Sequence, residues 1–96
     1  MDKKRFYITT PIFYPNANLH MGHAYTTTIS DILARYHRSL GEETYFLTGS
    51  DENTQKVVQA AAKEGKDPEV FLDEIIENFK KLFRDLDISY DQFIRT

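Results

Sequence analysis

The chain has 96 residues, a formal net charge of -3 and a pI near 5.5, which excludes a surface that grips nucleic acid by bulk positive charge. Hydrophobic residues make up 41% and aromatics 14%, enough for a modest core in one small domain or a piece of a larger one. Cysteine is absent, which removes disulfides and cysteine-ligated zinc from this chain and fits a reducing, cytoplasmic setting. Met1 to Arg5 is charged and no apolar run approaches the ~20 residues that cross a bilayer, so neither a signal peptide nor a membrane span is expected.

Phe6 to Thr10 is short, aromatic and β-branched and stops at Pro11, which cannot continue a central ladder; it predicts a first strand. From Met21 the apolar residues Tyr25, Ile29, Ile32, Leu33, Tyr36 and Leu40 recur at three-and-four spacing, and Gly41 suits the left-handed position past a helix end. Thr44 to Thr48 predicts a second buried strand. Gly49-Ser50-Asp51 then combines a flexible turn with capping side chains, and a second helix is expected from about Glu52 to Glu64, ending at Gly65. Asp67-Pro68 supplies a cap and a first-turn proline for a third helix with the stripe Phe71, Ile75, Phe79, Leu82, Phe83 and Leu86. Phe93-Ile94-Arg95 predicts the start of a third strand.

The order β-α-β-α-α-β implies a parallel, doubly wound, Rossmann-like sheet. Such sheets are covered on both faces and contain more strands. Residues 1–96 therefore read as a single domain fragment, half of a nucleotide-binding domain, with an exposed sheet edge that could favour self-association.

Thr10 to His23 reads Thr-Pro-Ile-Phe-Tyr-Pro-Asn-Ala-Asn-Leu-His-Met-Gly-His. Two imidazoles and a glycine stand where a strand hands over to a helix, a position where backbone N–H groups and the helix dipole favour phosphate. His20-Met21-Gly22-His23 resembles the first signature of the class I aminoacyl-tRNA synthetases. More narrowly, Tyr7 to Asn16, Ala24 to Thr27, Tyr45 to Glu52 and Ile88 to Asp91 are similar to the opening of bacterial-type methionyl-tRNA synthetases. The likeness, which also takes in Asp31, Ala34-Arg35-Tyr36, Gly41 and Phe93 to Thr96, covers nearly the whole chain.

The resemblance implies the amino-terminal half of a class I synthetase catalytic domain, in an enzyme that activates methionine with ATP and Mg2+ and transfers it to tRNA(Met). It further implies that His20 and His23 donate to ATP phosphates, that Asn16 stands near those phosphates, and that Gly22 leaves room for adenine or ribose. Ile12 and Tyr14 correspond to the methionine pocket, chemically apt because a thioether is recognised by apolar shape and sulfur–aromatic contact. Asp51, at the carboxyl edge of the second strand, corresponds to the partner of the substrate ammonium; helix capping by Asp51 or Ser50 is the plainer role. Many relatives carry His-Gly after the acidic pair, whereas this chain has Asn53-Thr54. No zinc ligand set and no metal site is indicated. The family's second signature, Lys-Met-Ser-Lys-Ser, does not occur, so the chain alone is expected to be an incomplete catalyst. A noncatalytic half-domain fragment, or another class I synthetase or nucleotidyltransferase, stays open on the residues alone. Truncating either histidine is expected to impair activity while barely altering stability.

Overall fold

A computed structural model of the chain describes residues 4–15 and 18–96. Among the described residues the elements run β1 (Arg5–Thr9), α1 (Met21–Ser39), β2 (Glu43–Ser50), α2 (Gln55–Lys63), α3 (Pro68–Asp85) and β3 (Gln92–Arg95). The strands form one parallel sheet in the order β1-β2-β3, so the α/β reading holds and β1 is an edge strand.

Two boundaries differ from expectation by more than one residue. Gly49 and Ser50, read as turn residues, belong to β2, because they pair with Ile94 and Arg95 of β3. That pairing joins residues more than forty positions apart and leaves no local trace. Helix α2 begins at Gln55 rather than Glu52, and its N-cap is Thr54, whose side chain accepts from Val57 N at 3.4 Å. Neither Ser50 nor Asp51 caps it. The departure at Asn53-Thr54 thus has a local role in this chain: it supplies the hydroxyl that starts α2.

Helix α3 starts where its sequence signals place it, but of the expected stripe Leu86 lies past the helix end and is 41% exposed, while Ile76, outside that stripe, is buried. Asp67 accepts from Glu69 N at 2.9 Å and Pro68 occupies the first turn. Phe71, Ile75, Ile76, Phe79 and Phe83 are buried together with Phe46 of β2, Val57 and Ala61 of α2, and Ile88. Each fully buried Phe contributes about 2–3 kcal/mol of transfer free energy, so this aromatic seam is the main cohesive term.

Helix α1 is turned the other way from its apolar pattern. Its buried residues are Thr27, Ser30, Asp31 and Ala34, while Tyr25, Ile29, Ile32, Leu33, Tyr36 and Leu40 lie 41–69% exposed. Small side chains let the helix approach the sheet closely. The long apolar stripe that periodicity selects as the core face points outward and is uncovered by the described residues.

What draws the polar face of α1 inward is a set of hydrogen bonds to the segment before β3. The Asp31 carboxylate accepts from Ser89 N at 2.8 Å, from Arg35 Nε at 2.8 Å and from the Ser89 hydroxyl. Arg38 donates to Ser89 Oγ, to Ser89 O and to Asp91 Oδ2 at 2.6, 2.9 and 3.0 Å. The same Asp91 oxygen accepts from Phe46 N at 2.7 Å, and Asp91 N donates to Phe46 O at 2.8 Å. One polar staple therefore joins α1, β2 and the entry to β3.

Burial pushes the Asp31 carboxyl up, but the Ser89 and Arg35 donors outweigh burial and hold it below its ordinary value of 3.8. Folded Asp31 binds a proton more weakly than unfolded Asp31, so its contribution is complete above the unfolded value and is lost as pH falls through the folded one. Asp31→Asn should therefore lower stability at neutral pH by about 1–3 kcal/mol and flatten the acid limb, as urea unfolding at a series of pH values would show. Some slope should persist, since bonds from Arg95 and Ser50 also outweigh burial and hold Glu52 low. At Gly49 a Cβ would lie 2.2 Å from Ile94 O and 2.9 Å from Ile94 N. Gly49→Ala should thus force β2 from β3 and cost roughly 2 kcal/mol or more in the same assay.

Candidate functional site at the carboxyl edge of the sheet

Beyond β1 the chain leaves regular strand geometry but stays zipped to β2. Thr10 N donates to Leu47 O at 3.1 Å, Phe13 N to Gly49 O at 3.2 Å, and Asp51 N to Phe13 O at 2.9 Å. The buried Thr10 and Thr48 hydroxyls bond to each other at 2.7 Å. Pro11, which has no N–H, falls between the residues that donate, so the ladder passes around it. Phe13 anchors the segment at 8% exposure, and the residues on either side of it, Ile12 and Tyr14, are turned to solvent.

Ile12 and Tyr14 line a cleft of about 370 Å³ together with Pro11, Phe13, Asn18, His20 and His23. Four of the residues expected at the site are thereby gathered in one place. Of the other three, Asn16 lies outside the described residues, Gly22 stands between the two histidines on α1, and Asp51 is placed apart. Asp51 is half-buried at the end of β2, tied through its backbone to Phe13, and is not part of the cleft wall. None of the hydrogen bonds among the described residues engages its carboxylate.

Its neighbour Glu52 is fully employed. Arg95 grips both Glu52 oxygens, at 2.8 and 2.9 Å, and reaches Asp73 at 3.1 Å. Ser50 Oγ donates to Glu52 at 2.6 Å. These bonds raise the Arg95 pKa above its already high value, the Glu52 contact contributing most. Glu52 thus fastens the end of β2 to β3 and to α3, leaving Asp51 as the acid at the strand edge.

At the start of α1 the two histidines cap the helix. His20 is the N-cap residue in an extended conformation, φ -118 and ψ -175. Its Nδ1 accepts from Gly22 N at 3.0 Å, while His23 Nδ1 accepts from His20 N at 3.1 Å. This is the reciprocal geometry of a capping box, with imidazoles in place of the usual hydroxyl and carboxylate. The rings lie 4.0 Å apart, and Phe13 meets the His23 ring edge-on at 4.8 Å. Burial first, and the adjacent His20 second, lower the His23 pKa below 6.5, which favours a neutral ring. The expectation that these histidines leave stability untouched does not survive this geometry. Losing an N-cap costs about 1 kcal/mol.

Gly22 also has a packing role beside the His20 ring. A Cβ there would stand 2.9 Å from His20 Cε1 and 3.2 Å from His20 Nδ1, so glycine clears the space that the His20 ring occupies. Two neighbours of the site escaped sequence reasoning. Phe13 reads as an ordinary apolar residue between two candidates. Lys56, whose Nζ stands 5.3 Å from the Tyr14 ring centroid, reads as the solvated face of α2. Spacing alone carries no signal for either, because Phe13 is placed by its bridge to β2 and Lys56 by the approach of α2 to Tyr14.

A family profile described as tRNA synthetases class I (M) matches residues 6–96. The chain belongs to this family. A methionine–tRNA ligase of Thermotoga maritima is 56% identical over 92 residues, covering 96% of this chain and 15% of that protein. That of Clostridium tetani is 50% identical over 96 residues, the whole of this chain and again 15% of the relative. The chain thus spans about 15% of the length of the curated relatives it matches. Among solved structures, Mycobacterium tuberculosis methionyl-tRNA synthetase in complex with methionyl-adenylate is 43% identical with a TM-score of 0.94 over 97% of this chain and 18% of that one. The Agrobacterium radiobacter K84 agnB2 LeuRS–tRNA–LeuAMS complex is 26% identical with a TM-score of 0.91, covering 98% of this chain and 12% of that one. The three-stranded sheet is therefore the Rossmann-like architecture of class I synthetases, and the signature histidines sit where that architecture turns from β1 into α1.

Because Thr54 caps α2, the stability effects of its neighbours separate. Thr54→Ala should cost about 1 kcal/mol, and Asp51→Asn less than about 0.5 kcal/mol, in chemical denaturation.

Proposed function

We propose that residues 1–96 form the amino-terminal part of the catalytic domain of a methionine–tRNA ligase, supplying the nucleotide cradle and one wall of the amino-acid pocket. The convergence of Ile12, Tyr14, His20 and His23 on one cleft is the observation that supports this most directly. In the reading proposed here, His20 and His23 donate to ATP phosphates at the positive end of α1, and Asn16 assists there. Ile12 and Tyr14 receive the methionine side chain, and Asp51 pairs with its ammonium. The neighbouring Lys56 favours a carboxylate or phosphate nearby.

The carboxylate oxygen of methionine then attacks the α-phosphorus of ATP, the bond to the bridging oxygen breaks, and pyrophosphate leaves. A hydroxyl of the terminal adenosine of tRNA(Met) next attacks the activated carbonyl, releasing AMP. The histidines act by stabilising charge that spreads over phosphate oxygens and by orientation, without forming covalent bonds. Among the described residues no three His, Asp or Glu side chains converge to hold a metal. Magnesium would enter as part of the substrate, bound by the triphosphate. Among the described residues no helix is long and apolar enough to cross a membrane; the proposed setting, the cytoplasm, follows from the family reading. Self-association of the fragment through the β1 edge belongs to the same reading.

Methionine-dependent ATP–pyrophosphate exchange by the full-length protein, compared with leucine, valine, isoleucine and cysteine, tests the assignment. Methionine alone should support exchange. Asp51→Asn should weaken methionine binding at least about tenfold while changing ATP affinity little, since a charge-assisted bond to an ammonium is lost. Equal loss of both ligands, or exchange driven equally well by another amino acid, would overturn the reading.

A further inference from the structure

The capping geometry at the start of α1 carries a consequence for the protons of the two signature histidines. A backbone N–H can only donate, so an imidazole nitrogen that faces one must present a lone pair. His20 Nδ1 faces Gly22 N at 3.0 Å and His23 Nδ1 faces His20 N at 3.1 Å. A neutral imidazole has a single ring proton, and in both rings it is left to Nε2.

We infer that His20 and His23 lock each other into the Nε2–H tautomer through the helix cap, so that both rings enter the cleft as neutral donors of fixed direction. This rests on the proposal that the cleft takes nucleotide phosphates. The lock is reciprocal because His20 supplies the backbone N–H that holds the His23 ring, while its own ring is held by Gly22 N in the first turn of the same helix. Gly22 makes it sterically feasible: a Cβ would crowd His20 Cε1 at 2.9 Å and Nδ1 at 3.2 Å and displace the ring from its bond. Phe13, edge-on to His23 at 4.8 Å, restricts the second ring from the strand side. An imidazolium carries a proton on both nitrogens and cannot accept from either backbone N–H, so protonation and capping exclude each other. The lowered pKa of His23, owed first to burial and then to His20, is in keeping with a ring that stays neutral.

For catalysis the arrangement means that neither ring needs to reorient or change protonation state when phosphate arrives. The donors are set before substrate binds, which is where preorganised hydrogen bonds gain their advantage over water. It also explains why this site uses histidine where a helix N-terminus would ordinarily take Ser, Thr or Asp: those residues cap, but leave no second nitrogen to donate outward.

Two measurements on the full-length protein test the lock. In the first, the protein is labelled with 15N-histidine and its ring signals are read by long-range 1H–15N correlation without substrate, at mildly alkaline pH. His20→Asn and His23→Asn assign the two rings by the signals they remove. Both rings should show a protonated Nε2 and a bare Nδ1; a protonated Nδ1, or averaging between tautomers, in either ring would overturn the lock whatever the enzyme's activity.

The second measurement separates cap from donor at His20. Asn places an acceptor near the position of Nδ1 and nothing at Nε2, whereas Gln places an amide N–H near Nε2 and is a poor N-cap. His20→Asn should melt like the unaltered protein yet form methionyl-adenylate about 100-fold more slowly, whereas His20→Gln should melt lower but keep roughly ten times more activity than His20→Asn. A His20→Asn variant that melts as low as His20→Ala, or a His20→Gln variant no more active than His20→Asn, would overturn the division of labour between the two nitrogens. Absence of methionine-dependent exchange in the unaltered protein would instead count against the ligase reading, with the tautomer spectrum still deciding the lock.

Discussion

The bridge between Phe13 and the carboxyl end of β2 is the constraint on which the site depends. Phe13 N bonds to Gly49 O, and Phe13 O accepts from Asp51 N, so a segment with no regular secondary structure is held as firmly as a strand. Alternation about that bridge turns Ile12 and Tyr14 to the cleft and drives the Phe13 ring into the core, where it meets His23. The same bond fixes the backbone of Asp51. A loop that must present side chains to a ligand gains precision in this way from the sheet, without itself being part of it.

A second tie works across the fold. Asp31, Arg35, Arg38, Ser89 and Asp91 join α1 to β2 and to the entry of β3. Their effect on the site is indirect. They hold α1 against the sheet along its length, so the N-terminal turn bearing His20 and His23 has a fixed approach to Phe13. Several residues that carry the family resemblance, Asp31 and Arg35 on α1 and Ser89 and Asp91 before β3, belong to this staple. Glu52 with Arg95 performs the same service at the end of β2, closing β3 beside Ser50.

Inward-facing polar groups leave the apolar ones on α1 outside. Tyr25, Ile32 and Tyr36 are each more than half exposed, and on the open face of the sheet Tyr7 stacks on Tyr45 at 5.9 Å. Surfaces of this kind are normally buried in a doubly wound fold, where both faces of the parallel sheet are covered. The aromatic seam of α3 packs with Phe46 of β2, with α2 and with Ala34 of α1 in one core. The molecule is thus well packed around α3 and sparsely covered around α1, and the site lies where those two regions meet.

Local sequence signals specify the elements and their order. Proline and glycine punctuation, the Asp67-Pro68 start and the stripe of α3 are local signals, and the structure follows them to within a residue or two. His20 and His23 stand out by their types at a strand-to-helix junction, Ile12 and Tyr14 only through the family resemblance, and all four line one cleft. Which face of α1 is buried, where β2 ends and what caps α2 depend on tertiary contacts. Apolar periodicity reports how hydrophobic a face is and not which neighbour it meets, and Asp31 finds its partners 58 residues away. Gly49 and Ser50 became strand because β3 arrives beside them, and Glu52 was drawn from helix to ion pair by Arg95. The double use of each signature histidine, one nitrogen for the helix and one for the cleft, likewise required the backbone of α1 to be in place, since a four-residue motif specifies the rings but not which of their nitrogens faces an amide.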